Sequence, residues 1–140
     1  MATGWSGVNP AAWADNAEKR MTALLRNSVQ KLAEAAAAEV PVKSGNLAKS
    51  VVVDDKPPKR GEPDQKHEPE DFQLGVTKLV PGGEAYVGWQ AIYSARVNYG
   101  FVGEDSLGRT YNQSGNGFAE RVAAKWPAIV KEQAAKMGGR

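Results

Sequence analysis

The side chains of this chain that could do chemistry are few, and their spacing suits none of the reactions they might suggest. One histidine, His67, stands between Lys66 and Glu68, and a short acidic run follows at Glu68, Glu70 and Asp71. An imidazole can act as a general base or bind a transition metal, but each task needs a second group at a defined distance. There is no other histidine and no cysteine. That removes thiolate metal sites, cysteine nucleophiles and disulfides together. Carboxylates can hold a hard cation, but this acidic run lacks the glycine-punctuated spacing of a calcium loop. Gly115-Asn116-Gly117-Phe118-Ala119-Glu120 opens a helix in the manner of a phosphate-binding turn. Its last position is Glu rather than Gly, and a polar loop precedes it where a dinucleotide site needs a buried strand. A Ser-His-Asp arrangement cannot be argued from one histidine among prolines. The expectation is therefore no catalytic residue, no metal and no cofactor, with His67 a solvated side chain. A small hydrolase lacks every group it needs.

The elements that would have to position any site are easier to read. Asn9-Pro10 is a helix start, with Asn9 as N-cap and Pro10 at the first helical position. From Ala11 to Glu39 there is no Gly or Pro. Met21, Leu25, Val29, Leu32 and Ala36 recur at steps of three and four, giving one apolar stripe. A helix of this extent spans roughly 45 Å, long enough for its start near Trp13 to overhang the core. Pro41 should end it at Val40. Val51 to Val53 begins a strand. Residues 54–71 hold Pro57, Pro58, Pro63 and Pro69 among many charges and predict a mobile exposed loop, dispensable for the core. Phe72, Leu74 and Val76 alternate as in a half-buried strand, extending to Val80. Pro81-Gly82-Gly83 is a turn, and Ala85–Trp89 a further strand, giving an antiparallel meander. Ala91–Tyr99 changes period and predicts a short helix. The Gly-rich, polar stretch 101–117 predicts a second exposed loop. Phe118–Met137 predicts a closing helix, kinked or restarted at Pro127. The fold class expected is α+β: a small antiparallel sheet of three to four strands packed by a long N-terminal and a C-terminal helix, as one domain over 1–140 with a flexible start at 1–8.

Composition narrows the class. The formal net charge is +2 over 140 residues, low for a dedicated nucleic-acid binder. No apolar run reaches the ~20 residues of a membrane span. Met1 to Asn9 show no charged start followed by an apolar run, so no signal peptide is expected. Freedom from cysteine suits a reducing cytoplasm.

The densest local information lies at Pro41-Val42-Lys43-Ser44-Gly45-Asn46-Leu47-Ala48-Lys49-Ser50. Gly45 can take positive φ, Ser44 and Asn46 can bond nearby backbone groups, and Leu47 can pin the turn to the core. A second group, Tyr93-Ser94-Ala95-Arg96-Val97-Asn98-Tyr99-Gly100, follows, and a third, Gly117-Phe118, opens the last helix. From about Pro10 to Val130 this arrangement resembles the tail-completion proteins of long-tailed phages, the head–tail joining group that includes the minor tail protein Z type. Pro41, Ser44, Gly45, Asn46, Leu47, Tyr93, Tyr99, Gly100 and Phe118 carry the resemblance. Asn98 stands where that family usually has Glu, and Gly117 where it usually has Pro.

The resemblance implies a structural virion protein of the neck or tail top, assembled in the host cytoplasm. It implies a ring, of six copies, that completes the tail and meets the connector or stopper on one side and the terminator or tail-tube proteins on the other, with DNA passing through. A tail-terminator ring that caps tube growth is the neighbouring alternative. A non-specific DNA-binding module is the alternative from another class, resting on Lys43, Lys49, Lys56, Lys59 and Arg60 and on the basic last helix. The residues suited to contact another subunit are Trp5, Trp13, Lys59, Arg60 and Tyr111, because aromatics bury much area at little rotamer cost.

Overall fold

The computed structural model describes residues 9–41, 45–104 and 110–138, with backbone alone over 101–104 and 110–113. It is a mixed fold of helix and sheet. The long first helix, α1, runs Pro10–Glu39. Asn9 caps it as the sequence predicts, its side chain accepting from the Ala11 amide at 2.9 Å. Val40 is extended, and Pro41 stops the helix. A one-turn helix, α2, spans Asn46–Lys49 and leads straight into strand β1, Val51–Asp54.

The segment expected to be a second strand is a helix, α3, at Phe72–Val76. Asp71 caps it by accepting from the Gln73 amide at 3.0 Å. Phe72, Val76 and Leu79 repeat with helical spacing and turn toward the core, whereas Leu74 is 71 % exposed. The alternation of Phe72, Leu74 and Val76 pointed to a strand, but the longer period and the N-cap prevail. Strand β2 is Tyr86–Trp89 and, among the described residues, pairs antiparallel with β1 alone, Val51 opposite Trp89 and Val53 opposite Val87. The expected three-stranded meander is thus a two-stranded sheet.

Helix α4 covers Ser94–Tyr99, within the predicted short helix. The following stretch, expected to be a loop from 101, is instead a hairpin: β3, Gly100–Glu104, pairs antiparallel with β4, Thr110–Ser114. Two helices close the chain, α5 at Phe118–Ala124 and α6 at Trp126–Lys136, with Lys125 between them. The break falls one residue before Trp126, so Pro127 sits in the first turn of α6, where its missing amide costs no hydrogen bond.

The core lies between α1, the inner face of β1–β2, α3 and α5. Val29, Ala33, Ala36, Val51, Val53, Val76, Leu79 and Val122 form one cluster, and Val40, Leu47, Ala91 and Phe118 a second. Trp89 packs against both. Its ring meets Phe118 edge-on at 4.8 Å, and its Nε1 donates to the Ala36 carbonyl at 3.3 Å.

Helices α5 and α6 run back along α1. At one end Arg121 and Lys125 meet Glu39, and at the other Arg20 donates to the Met137 carbonyl at 3.4 Å. Beyond Arg20 helix α6 offers no further surface, and from Pro10 to Met21 every residue but Ala17 is exposed. Met21, which the apolar stripe assigned to the core, is accordingly 59 % exposed.

Candidate assembly surface

The segment 54–71 is largely exposed, yet it is tied to the body at defined points. The Gly61 amide donates to the Gln90 carbonyl at 2.8 Å. Pro58 lies against the outer face of β2 at Gly88, where an added Cβ would come within 3.0 Å of its ring. Val52, on that face, is buried beside the groove that Pro57 and Pro58 help to line. His67 is only 7 % exposed, so the expectation of a solvated imidazole is wrong. What holds it is Asn46. The Asn46 Oδ1 accepts from the His67 amide at 2.7 Å, and its Nδ2 lies within reach of the Gln65 carbonyl at 3.1 Å and the Tyr93 hydroxyl at 3.3 Å. An amide side chain can accept and donate at once, which is what this junction requires.

Gly45, at φ 76°, makes the turn that presents Asn46, and Leu47 is buried behind it. Asn46, Tyr93 and His67, far apart in sequence, therefore meet along an open groove of about 740 Å³ that Lys49, Glu62 and Ile92 also line. Its charges are of both signs. Among the described residues no cluster of His, Asp or Glu could hold a metal ion.

A second junction was not legible in the sequence. Asn98, buried on α4, accepts from the Ala119 amide at 2.9 Å and donates to Glu120 at 3.1 Å. It thereby caps α5 from another element, where the local N-cap, Gly117, has no side chain to offer. A third fixes the end of α3: the Arg26 guanidinium donates to the carbonyls of Thr77 at 3.0 Å and Leu79 at 3.1 Å. Those carbonyls lie where a helix has no amide donors left to offer them. Glu39 accepts from Arg121 and from Lys125, the latter at 3.0 Å, and these hydrogen bonds, Arg121 foremost, hold its carboxyl below the usual carboxylate range.

The remaining residues singled out from sequence divide cleanly. Phe118 is core, Gly100 starts β3 at φ 85°, and Tyr99 is 74 % exposed. Trp13 is 66 % exposed on the overhang of α1. Lys59 and Arg60 are exposed on the loop. Trp5, Ser44, Lys43 and Arg140 lie outside the described residues, as does the side chain of Tyr111. No helix among the described residues is long and apolar enough to cross a membrane. No protein-family model, curated protein or solved structure matches the chain.

Proposed function

We propose that this chain is a structural subunit that works by contact with copies of itself and with neighbouring rings, in the manner of a tail-completion or head–tail joining protein of a siphophage-like particle. The observation that carries this reading is the free end of α1. Its start extends past the helices that pack on it and presents Trp13 at 66 % and Met21 at 59 % exposure. Large apolar side chains on a helix end that no described residue covers suit a contact surface. The polar groups agree: Asn46, Asn98, Arg26 and Glu39 each hold one element to another. In this reading six copies form the ring, Lys59 and Arg60 lie in the exposed loop between neighbours, and DNA passes without sequence recognition.

The deciding experiment is imaging of assembled particles with the chain labelled, alongside particles that lack it. Density between portal and tail tube, with tails of normal length left unjoined when the chain is absent, supports the proposal. Overlong tubes in its absence identify a terminator instead. Absence of the chain from particles overturns both.

A further inference from the structure

The two-stranded sheet leaves one edge open. The Gln90 amide donates to the Ser50 carbonyl at 3.0 Å, which fixes the hydrogen-bonding parity of the ladder. By that parity Val52 and Asp54 face Gly88 and Tyr86 as the hydrogen-bonded pairs, and the intervening residues turn their amides and carbonyls outward. On β1 the outward edge is covered by α3: a Cβ on Gly75 would fall 2.0 Å from the Val53 carbonyl oxygen. On β2 the outward groups belong to Val87 and Trp89, and neither makes a backbone hydrogen bond with any described residue. An unpaired strand edge is a template for another strand.

The same chain carries a strand pair without a home. Apart from their own ladder, β3 and β4 pack substantially only on α4 among the described residues. An isolated two-stranded hairpin is marginal in water. Its strands, Gly-Phe-Val-Gly-Glu and Thr-Tyr-Asn-Gln-Ser, each carry an adjacent pair of β-formers, Phe101-Val102 and Thr110-Tyr111. Each has five residues, enough to pair with the four of β2.

We propose that the β3–β4 hairpin of one copy adds to the open edge of β2 in the next, so that Val87 and Trp89 pair with a neighbour's strand. Donor and acceptor are different surfaces of one chain, so the contact can repeat head-to-tail from copy to copy, and it closes into a ring where the rotation between copies allows. This deepens the ring reading above by naming its contact, and it is measured in solution rather than in particles.

Two variants test it. Val87→Pro removes an outward amide while leaving the ladder bonds of Gly88 and Tyr86. Replacing residues 101–113 by Asn-Gly keeps the base of the hairpin and removes the arm. Wild type should associate as concentration rises, by light scattering, and each variant should remain monomeric with an unchanged helical spectrum. An equimolar mixture of the two should stop at a heterodimer, because it offers one arm and one edge. In the wild type, amide exchange at Val87 and Trp89 should slow on association, a readout that survives even where a variant fails to fold. Wild type that stays monomeric at every concentration, a variant that associates like wild type, or Val87 and Trp89 amides unprotected in the oligomer each overturns the proposal. An oligomer built this way yet missing from particles overturns the virion reading alone.

Discussion

Asn98 and Ala119 form a helix cap across two elements: the side-chain oxygen of one, on α4, accepts from the backbone amide of the other, in the first turn of α5, at 2.9 Å. Because Asn98 is 4 % exposed, losing it strands a donor away from water. Asn98→Leu should cost about 1–3 kcal/mol in urea unfolding. Asn98→Asp keeps the acceptor but sets a second carboxylate against Glu120, now its hydrogen-bond partner. Like charges raise each other's pKa, so this deficit should be largest at neutral pH and shrink as acid protonates one of the pair.

Gly75 lies in a helix, where alanine normally stabilises by about 1 kcal/mol. Here the sign should reverse. A Cβ at Gly75 falls 2.0 Å from the Val53 oxygen, so α3 must move off β1, and Gly75→Ala should destabilise by at least about 1–3 kcal/mol. Gly45→Ala is the control. Its nearest neighbour is Lys49 Cε at 3.9 Å and only its φ of 76° resists, for about 1–2 kcal/mol. Thermal unfolding of the two variants separates steric from dihedral cost.

The sequence made α1 legible because both of its ends carry stop signals, Asn9-Pro10 and Val40-Pro41, and its pattern repeats over many turns. Helix α3 was misread because two periods coexist over so few residues: 72, 74, 76 and 72, 76, 79. Only Arg26, distant in sequence, holds the carbonyls at its end. The hairpin 100–114 was missed because Gly-Phe-Val-Gly-Glu and Thr-Tyr-Asn-Gln-Ser hold no sustained apolar alternation to mark a strand. Asn46 and Tyr93 stood out in sequence, but that Asn46 holds the His67 amide and meets the Tyr93 hydroxyl depends on a chain reversal that no local pattern encodes. Asn98 looked like a mere departure from a motif, since a cap supplied from another helix leaves no spacing rule behind.

Asn46 should therefore govern the 54–71 segment. Asn46→Ala removes the acceptor for the His67 amide and the donor to Gln65. It should cost about 1–2 kcal/mol and speed tryptic cleavage at Lys59, Arg60 and Lys66. Excising residues 57–69, which the polar composition suggested would leave the fold intact, should instead lower the melting temperature, because His67 and the Gly61–Gln90 bond go with it. An excised chain that melts like the parent contradicts this role.

Trp13 should behave in the opposite way. It is 66 % exposed, ahead of the point where α6 reaches α1. Trp13→Ser should change unfolding by no more than about 0.5 kcal/mol, yet reduce the number of joined particles in a complementation assay. Loss of stability with assembly intact would reassign the residue to the fold.

Glu39 makes stability depend on pH in a predictable direction. Its hydrogen bonds with Arg121 and then Lys125 lower its pKa in the folded chain, whereas unfolding releases both partners. A group whose folded pKa is depressed gives its full contribution above the unfolded value, and that contribution is lost as pH falls through the folded one. Unfolding midpoints should accordingly drop through the acid range below the ordinary carboxylate pKa. Glu39→Gln should flatten this part of the profile and leave the curve above it parallel to wild type. Because the pair with Lys125 has nearly half of the lysine side chain in solvent, at 47 % exposure, salt should weaken it. The difference between wild type and Glu39→Gln should narrow as ionic strength rises. A profile unchanged by Glu39→Gln would mean that the Glu39 carboxylate does not carry the acid dependence, Arg121 having the Asn116 carbonyl and side chain to donate to in either chain.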